Sequence, residues 1–322
     1  MKSPQGMTAE ELYMYARDVI KGRWLEAEPI IAKDVHWALF YALQVIKHRW
    51  FEVEELIAKD AIYAYHYALS AIEGRWMEAE ESILQKSEAA YLYARDIIKG
   101  RWPEGEEIIS KDARWAYEYT NDIIKGRWLE AESTIAKDGK WRHLYAKHII
   151  KGRWKEVEPI IAKDANWASE YAKYIIKGRW KEAEETISKD PNVAYFYAAS
   201  VIQGRWSEAE PIIAKNAYYA CKYAVGLIEG CWPEAEEAIA ENGSLASEYA
   251  IHARKSRWFN TEELISKSTS CEEYLKYFFP NQDVITKDNV DEYEWLRLGL
   301  EGYFADAELF KRKMSLLDMV IE

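Results

Sequence analysis

Apolar residues recur along this chain with two interlocked periods. Within short stretches they follow the three-to-four spacing of a buried helical stripe, and the whole arrangement then repeats every 26 residues. Trp24, Trp50, Trp76, Trp102, Trp128, Trp154, Trp180, Trp206, Trp232 and Trp258 mark the long period without one insertion. With each Trp as position 0, a repeat reads W-x-E-A-E-x-x-I-x-K-D, then x-x-x-A-x-x-Y-A-x-x-I-I-K-G-R. Ile stands at +7 in every repeat, from Ile31 to Ile265. Tyr stands at +17 from Tyr15, in a half-repeat ahead of the first Trp, to Tyr249. So regular an array is a stack of one supersecondary unit, because an insertion would have to bulge out of it. The pattern predicts an all-α fold: an α-solenoid of about ten 26-residue helix-turn-helix repeats with a helical C-terminal cap.

The second helix of each repeat has the clearer signals. Asp34, Asp60, Asp112, Asp138, Asp164, Asp190, Asn216, Asn242 and Ser268 at +10 are N-cap residues, and Pro191 suits a first helical turn. Thr8 with Glu11 has capping-box spacing in the half-repeat. Apolar +14, +17, +18, +21 and +22 form the buried stripe, with Arg142 and Thr120 as departures from its small Ala positions. Gly at +24 (Gly22, Gly74, Gly100) is expected to supply a left-handed residue at the end, and Lys at +23 suits the helix dipole. The first helix is shorter, about +1 to +9, with +3 and +7 facing inward. Pro29, Pro159 and Pro211 at +5 would remove a mid-helix hydrogen bond, so there the helix must start late or distort. Neither helix reaches the ~12–15 residues at which an isolated helix becomes even marginal in water. Stability must come from stacking Trp, Ile and Tyr into a continuous spine.

The period divides the chain into an N-terminal extension at 1–7, the repeats at 8–268 and an acidic tail at 269–322. In the tail Pro280, Asn281 and Gln282 make a turn, and Glu301–Glu308 reads as a decayed copy of the K-G-R-W-x-E-A-E phrase. The tail is expected to be helical, closing the stack as solenoids require or acting as a dimerisation or partner module. The unpaired second helix at Thr8–Lys21 leaves homo-oligomerisation through the terminal helices open.

Composition sharpens this picture. Fifteen Trp and 23 Tyr against eight Phe, eight Pro and fifteen Gly are what one copied unit would leave. No apolar run approaches the length of a transmembrane helix, and the N-terminus carries no secretory signal. Cys221, Cys231 and Cys271 form no disulfide framework or zinc spacing. A soluble, cytoplasmic protein is expected. The net charge of −12 is uneven: residues 269–322 hold twelve Asp/Glu against six Lys/Arg, so the repeats are near balance. Glu at +4 in every repeat, with Arg at +25 failing only at Cys231, reads as a ladder of structural ion pairs. A phosphate-binding Arg row, or a Glu row imitating phosphate, is the sharper alternative.

Functional information should lie where the copies differ. Positions +12, +16, +19 and +20 vary. The candidate partner surface is His36, Arg114, Lys140 and Tyr218 at +12 with Phe40, His66, Glu118, Leu144, Glu170, Phe196 and Lys222 at +16. Neutral drift on a solvent face would look the same. The aromatic row at +13 (Trp37, Tyr63, Trp115, Trp141, Trp167, Tyr219) could stack on bases or anchor a partner, although inter-repeat core is favoured. Chemistry is scarce. No H-E-x-x-H, Walker A, G-x-G-x-x-G or G-x-S-x-G occurs, and His143 and His148 are five apart, off any shared helical face. The E-x-E pair at +2 and +4 looks like a metal or acid–base dyad, but a copy in every repeat points to structure. No enzyme activity, catalytic residue, metal or cofactor is expected.

The stretch IIKGRWKEVEPIIAKDANWASEYA at residues 149–172 resembles the short tandem helical repeats of tailed bacteriophages. The resemblance covers about residues 8–268 and lies in the Trp, Ile and Tyr spacing. It implies a phage-encoded accessory protein working in the bacterial cytoplasm, and it carries no catalytic residue. The G-x-W/Y-x-E-A phrase is also similar to the helical turn of tetratricopeptide repeats, whose period is longer, and that analogy implies protein binding. The expected function is therefore non-enzymatic binding of a host or phage protein, for instance to block a bacterial defence system. Two alternatives stay open: an acidic nucleic-acid mimic, with nucleic acid itself an unfavoured partner, and a nucleotide-binding sponge or sensor using the Arg or aromatic row.

Overall fold

The computed structural model describes residues 3–278, and all regular structure among them is helical. The tandem helical repeats of an α-solenoid are as the 26-residue period predicts. Two compact parts divide the chain, Met1–Trp154 and Lys155–Glu322. The turn at Pro280, the decayed copy at Glu301–Glu308, Trp295 and most of the expected cap lie outside the described residues.

In the repeats without Pro at +5 the backbone of Trp itself opens the first helix. Trp50, for example, sits at φ −122 and ψ 89 and is followed by Phe51–Ile57. Position +3 and Ile at +7 are buried from the first repeat (Ala27, Ile31) to the last (Thr261, Ile265). Where Pro occupies +5 the helix starts late, as expected: only Glu28–Ile31, Glu158–Ile161 and Glu210–Ile213 are helical, each with Pro as second residue. The proline then stands where its missing N–H has no partner to lose.

The second helix begins on its cap. The Asp34 carboxylate accepts from the amides of His36 and Trp37, and the same bonds recur at Asp60, Asp112 and Asp190. Thr8 and Glu11 form the expected capping box. Two caps differ. Lys86 replaces the usual Asp and makes no side-chain cap, and Ser268 precedes a helix that starts only at Cys271–Phe278.

Two expectations about the far end of this helix are overturned. Each second helix runs α-helical to Tyr at +17 and then continues as one π turn over +18 to +22, as in Val35–Tyr41 followed by Ala42–Ile46. A π turn advances fewer degrees per residue than an α turn. Positions +21 and +22 therefore rotate off the buried stripe: Val45 and Ile46 are half-buried and Val19 is exposed. The left-handed residue is also not the glycine. It is position +23, with φ between 54 and 61 in all ten described copies, most of them Lys. Its amide closes the π turn, as Lys47 N–H does on the Ala42 carbonyl at 2.7 Å, and the next amide reaches the same kind of carbonyl from Gly74 to Ala68 at 3.2 Å. A side chain there costs roughly 1 kcal/mol. Nothing in the structure explains Gly at +24, where a Cβ on Gly22, Gly74 or Gly100 would meet no atom within 4 Å.

The core is a repeated clip. The Trp24 amide donates to the Tyr41 hydroxyl at 2.6 Å, and that hydroxyl donates to Glu28 at 3.1 Å. Arg23, one residue before the Trp, holds the same carboxylate with two bonds of 2.8 Å. The set recurs at Arg49–Glu54–Tyr67–Trp50, Arg179–Glu184–Tyr197–Trp180 and Arg205–Glu210–Tyr223–Trp206. Meanwhile the Tyr41 ring packs on the next Trp, Trp50, with centroids 5.2 Å apart. One tyrosine thus satisfies a buried amide in its own repeat and fills the core of the following one. Invariant Glu at +4 and Arg at +25 are thereby accounted for as structure.

Candidate interaction surface

The clip sets the electrostatics of the inner side. Burial pushes the hydroxyls of Tyr41, Tyr93, Tyr197 and Tyr223 up to about 12, so they stay neutral donors. The bidentate arginines hold Glu54, Glu80, Glu106, Glu184 and Glu210 below the usual carboxylate range. The Arg and Glu rows therefore face each other rather than a ligand. Glu at +2 of the following repeat adds to the field on each Arg, Glu52 on Arg23 and Glu78 on Arg49 among them. The sequence-level ladder is thus partly intra-repeat and partly inter-repeat.

One repeat lacks its Arg. Cys231 stands in that place, and Arg254 at +22, an Ile position elsewhere, reaches back to Glu236 at 2.8 Å. Tyr249 keeps its bond to the same carboxylate. The clip also extends past the expected limit of the repeats. Tyr274, at +16 instead of +17, accepts from the Trp258 amide and donates to Glu262 at 2.8 Å.

Second helices of neighbouring repeats meet through +15, which variability did not single out, and +20, which it marked as surface. Tyr at +15 is buried and its hydroxyl crosses to +20 of the next repeat: Tyr13 to Gln44, Tyr65 to Asp96 and Tyr91 to Asp122, all at 2.6 Å, with Tyr117 and His148 at 2.8 Å. Position +20 is therefore partly a joint, not a freely varying surface. The +13 aromatics are half-buried, and Trp37, Trp115, Trp141 and Tyr219 lie against the preceding +15 ring, as in Tyr91–Trp115 at 5.4 Å and Tyr117–Trp141 at 5.3 Å. They are inter-repeat packing, as favoured. The signal for both was present as Tyr at 13, 65, 91, 117 and 195, each two residues ahead of the clip tyrosine.

Positions +12 and +16 lie one helical turn apart on the outer side. Arg114, Lys140, Tyr218, His66, Glu170 and Phe196 are exposed, whereas His36, Phe40, Glu118, Leu144 and Lys222 are half-buried. Several are drawn together. His36 packs on Phe40 at 4.8 Å and meets the Tyr63 hydroxyl at 3.0 Å. Phe196 lies against Tyr219 at 6.3 Å, and Lys222 bonds Glu248 of the next repeat at 2.8 Å. Arg114 sits over Trp115 at 4.3 Å and Lys140 over Trp141 at 4.5 Å. His66 touches its neighbour Tyr65. For Glu118, Leu144 and Glu170 no such pairing stands out, and the eleven residues form no common pocket.

No group of His, Cys, Asp and Glu suited to a metal occurs among the described residues. No described helix is long and apolar enough to cross a membrane. Cys221 is buried, which pushes its thiol up to about 12, and burial together with Lys147 and His148 brings His143 down to about 4. An open hollow at the N-terminal end is lined by Met7, Glu10, Glu11, Met14, Tyr15, Asp18 and Val19, with Asp18 paired to the adjacent Arg17 at 2.6 Å. Comparison with protein families, with curated proteins and with solved structures finds no match to this chain.

Proposed function

We propose that this protein is a non-enzymatic helical-repeat scaffold that binds another protein through the outer side of its second helices. The observation that carries the reading is the contrast inside one 26-residue unit. Clip residues keep one arrangement, while +12 and +16 change in size and charge from repeat to repeat around half-buried aromatics. Cations laid on those rings, Arg114 on Trp115 and Lys140 on Trp141, make the aromatic–arginine chemistry that dominates binding energy at protein interfaces. Arg114, Lys140 and Lys222 alternate with Glu118, Glu170 and Glu248 on this side, which speaks against a continuous phosphate-like ribbon and so against the mimic. Glu10 and Glu11 in the lining of the N-terminal hollow disfavour a nucleotide there. The phage resemblance makes host and phage proteins the first pool to search, defence components included.

The test is capture from bacterial lysate by the full chain, followed by reconstitution with the purified partner. A stoichiometric complex is expected, weakened at least tenfold by Arg114→Glu with Lys140→Glu. Absence of any stoichiometric partner, together with a thermal shift on adding a nucleotide panel, would turn the reading toward the sensor.

A further inference from the structure

A second row of side chains lies on a different edge, at +1, where each first helix begins. In residues 1–154 this position is Leu25, Phe51, Met77, Pro103 and Leu129. The four large side chains are 66, 68, 72 and 69% exposed, among the most exposed apolar groups described. The fold does not ask for them. The same position in residues 155–278 is Lys155, Lys181, Ser207, Pro233 and Phe259, on first helices that carry the same clip. An apolar residue that is neither buried nor required, repeated over consecutive units, has the character of a contact surface.

Charge says what kind of partner fits. Each of these residues is followed by an exposed glutamate: Glu26, Glu52, Glu78, Glu104 and Glu130. The acidity is deepest at the middle of the row. Met77 is flanked in the chain by Glu73, where most repeats have Lys, and by Glu78 and Glu81, with Gln85 in place of the Lys that pairs with the equivalent glutamate in other repeats. Those three carboxylates make no ion pair among the described residues. The Phe51 ring already takes one guanidinium, Arg49 at 4.8 Å, which shows that cations suit this edge.

We propose that the +1 row of residues 1–154 is a docking edge for a basic amphipathic helix of another protein. An anionic membrane surface would be repelled by the glutamates. Packed second helices of neighbouring repeats set a step of roughly 8–10 Å. A helix rising ~1.5 Å per residue would pass one repeat about every five to seven residues, and of these spacings seven returns most nearly to the same helical face. The fitting partner therefore presents an apolar residue at i, i+7 and i+14, with Lys or Arg beside it. This edge is separate from the +12 and +16 side, so either surface can fail without the other.

The probe is a fluorescein-labelled Leu/Lys helix with Leu at heptad spacing, titrated with the full chain and followed by anisotropy. Saturable binding is expected, weakened at least tenfold by Phe51→Lys with Met77→Lys and at least threefold by Glu73→Lys with Glu78→Gln. Arg114→Glu with Lys140→Glu should leave it unchanged. All these variants are expected to keep the helical circular dichroism of the parent, since Lys already occupies +1 and +23 elsewhere. Equal affinity for a Leu/Glu helix would overturn the proposal. So would affinity indifferent to Phe51→Lys with Met77→Lys, preferential binding to phosphatidylserine vesicles, or a dimer of the chain that the same double variant dissolves.

Discussion

At +15 four of the six copies in residues 1–154 are Tyr13, Tyr65, Tyr91 and Tyr117, whose hydroxyls cross to the next repeat, the other two being Leu39 and His143. In residues 155–278 the same position holds Ser169, Cys221 and Ser247, with Tyr195 as the one tyrosine. Two of these reach backbone carbonyls instead: Cys221 the Leu245 carbonyl at 3.6 Å and Ser247 that of Ser270 at 3.2 Å. Opposite Tyr195 the +20 residue is Gly226, which has no side chain to accept. Yet Trp, Glu, Tyr and Ile of the clip are common to both parts. The difference separates what a repeat needs to fold from what it uses to join its neighbour. The first is fixed because it satisfies a buried amide, and the second is open to several solutions.

That separation can be broken most forcefully at the core. Trp102→Ala and Trp206→Ala should each cost roughly 3–5 kcal/mol, read as a shift in urea midpoint, because each empties a site between a clip and the preceding tyrosine. Unequal losses, large in one part and small in the other, would mean that the clip does not carry the same weight in both parts. The next largest effect depends on pH and belongs to residues 1–154. His143 occupies the +15 joint and is held neutral, down at about 4 against the ordinary 6.5. Below pH 6.5 the unfolded chain takes up a proton that the folded chain refuses. Its contribution is thus complete above pH 6.5 and lost as pH falls toward 4, by roughly 3 kcal/mol at most. His143→Tyr, which restores the commoner joint residue, should flatten stability across that window. An unchanged slope would place the acid sensitivity elsewhere. The depressed carboxylates such as Glu54 act in the same sense but only below their ordinary 4.5. The smallest effect sharpens the joint itself. Tyr91→Phe should cost about 1 kcal/mol by losing its bond to Asp122, while Tyr195→Phe should cost close to nothing. Equal costs would show that the ring, not the hydroxyl, makes the joint.

Much of this was legible in the residues. The Trp spacing, the Asp caps and the proline-delayed first helices follow from local rules that act within a few residues. What escaped was set by tertiary context. The π turn at +18 to +22 has no composition signal of its own, and by slowing the rotation of the helix it moved Val45 and Ile46 outward. Left-handed Lys47 defies the preference for Gly, and the amide with which it closes that turn is one that any residue but proline supplies. Conversely, +20 looked free because Gln44, Asp96, Asp122 and His148 differ, although each meets the same hydroxyl. A joint that accepts any polar partner hides from a search for identity. The outer +12 and +16 positions were legible as variable, but their groupings, such as His36 with Phe40 and Tyr63, needed the folded neighbours.

The compensation of Cys231 by Arg254 bears on how such a chain can grow and shrink. Except for that Arg254 bond at +22, every bond of a clip lies between the residue before one Trp and the Tyr at +17. A break just after +24 therefore severs none of them. A 26-residue cassette running from position 231 to position 256 carries Cys231, Glu236, Tyr249 and Arg254 together. Duplicating or deleting it by unequal recombination would transmit the odd residue and its remedy as one inheritance. The same cut would exchange only the outward face and the forgiving joint. Copy number can then drift while each surviving copy remains foldable, and new surfaces can be tried at the cost of no core.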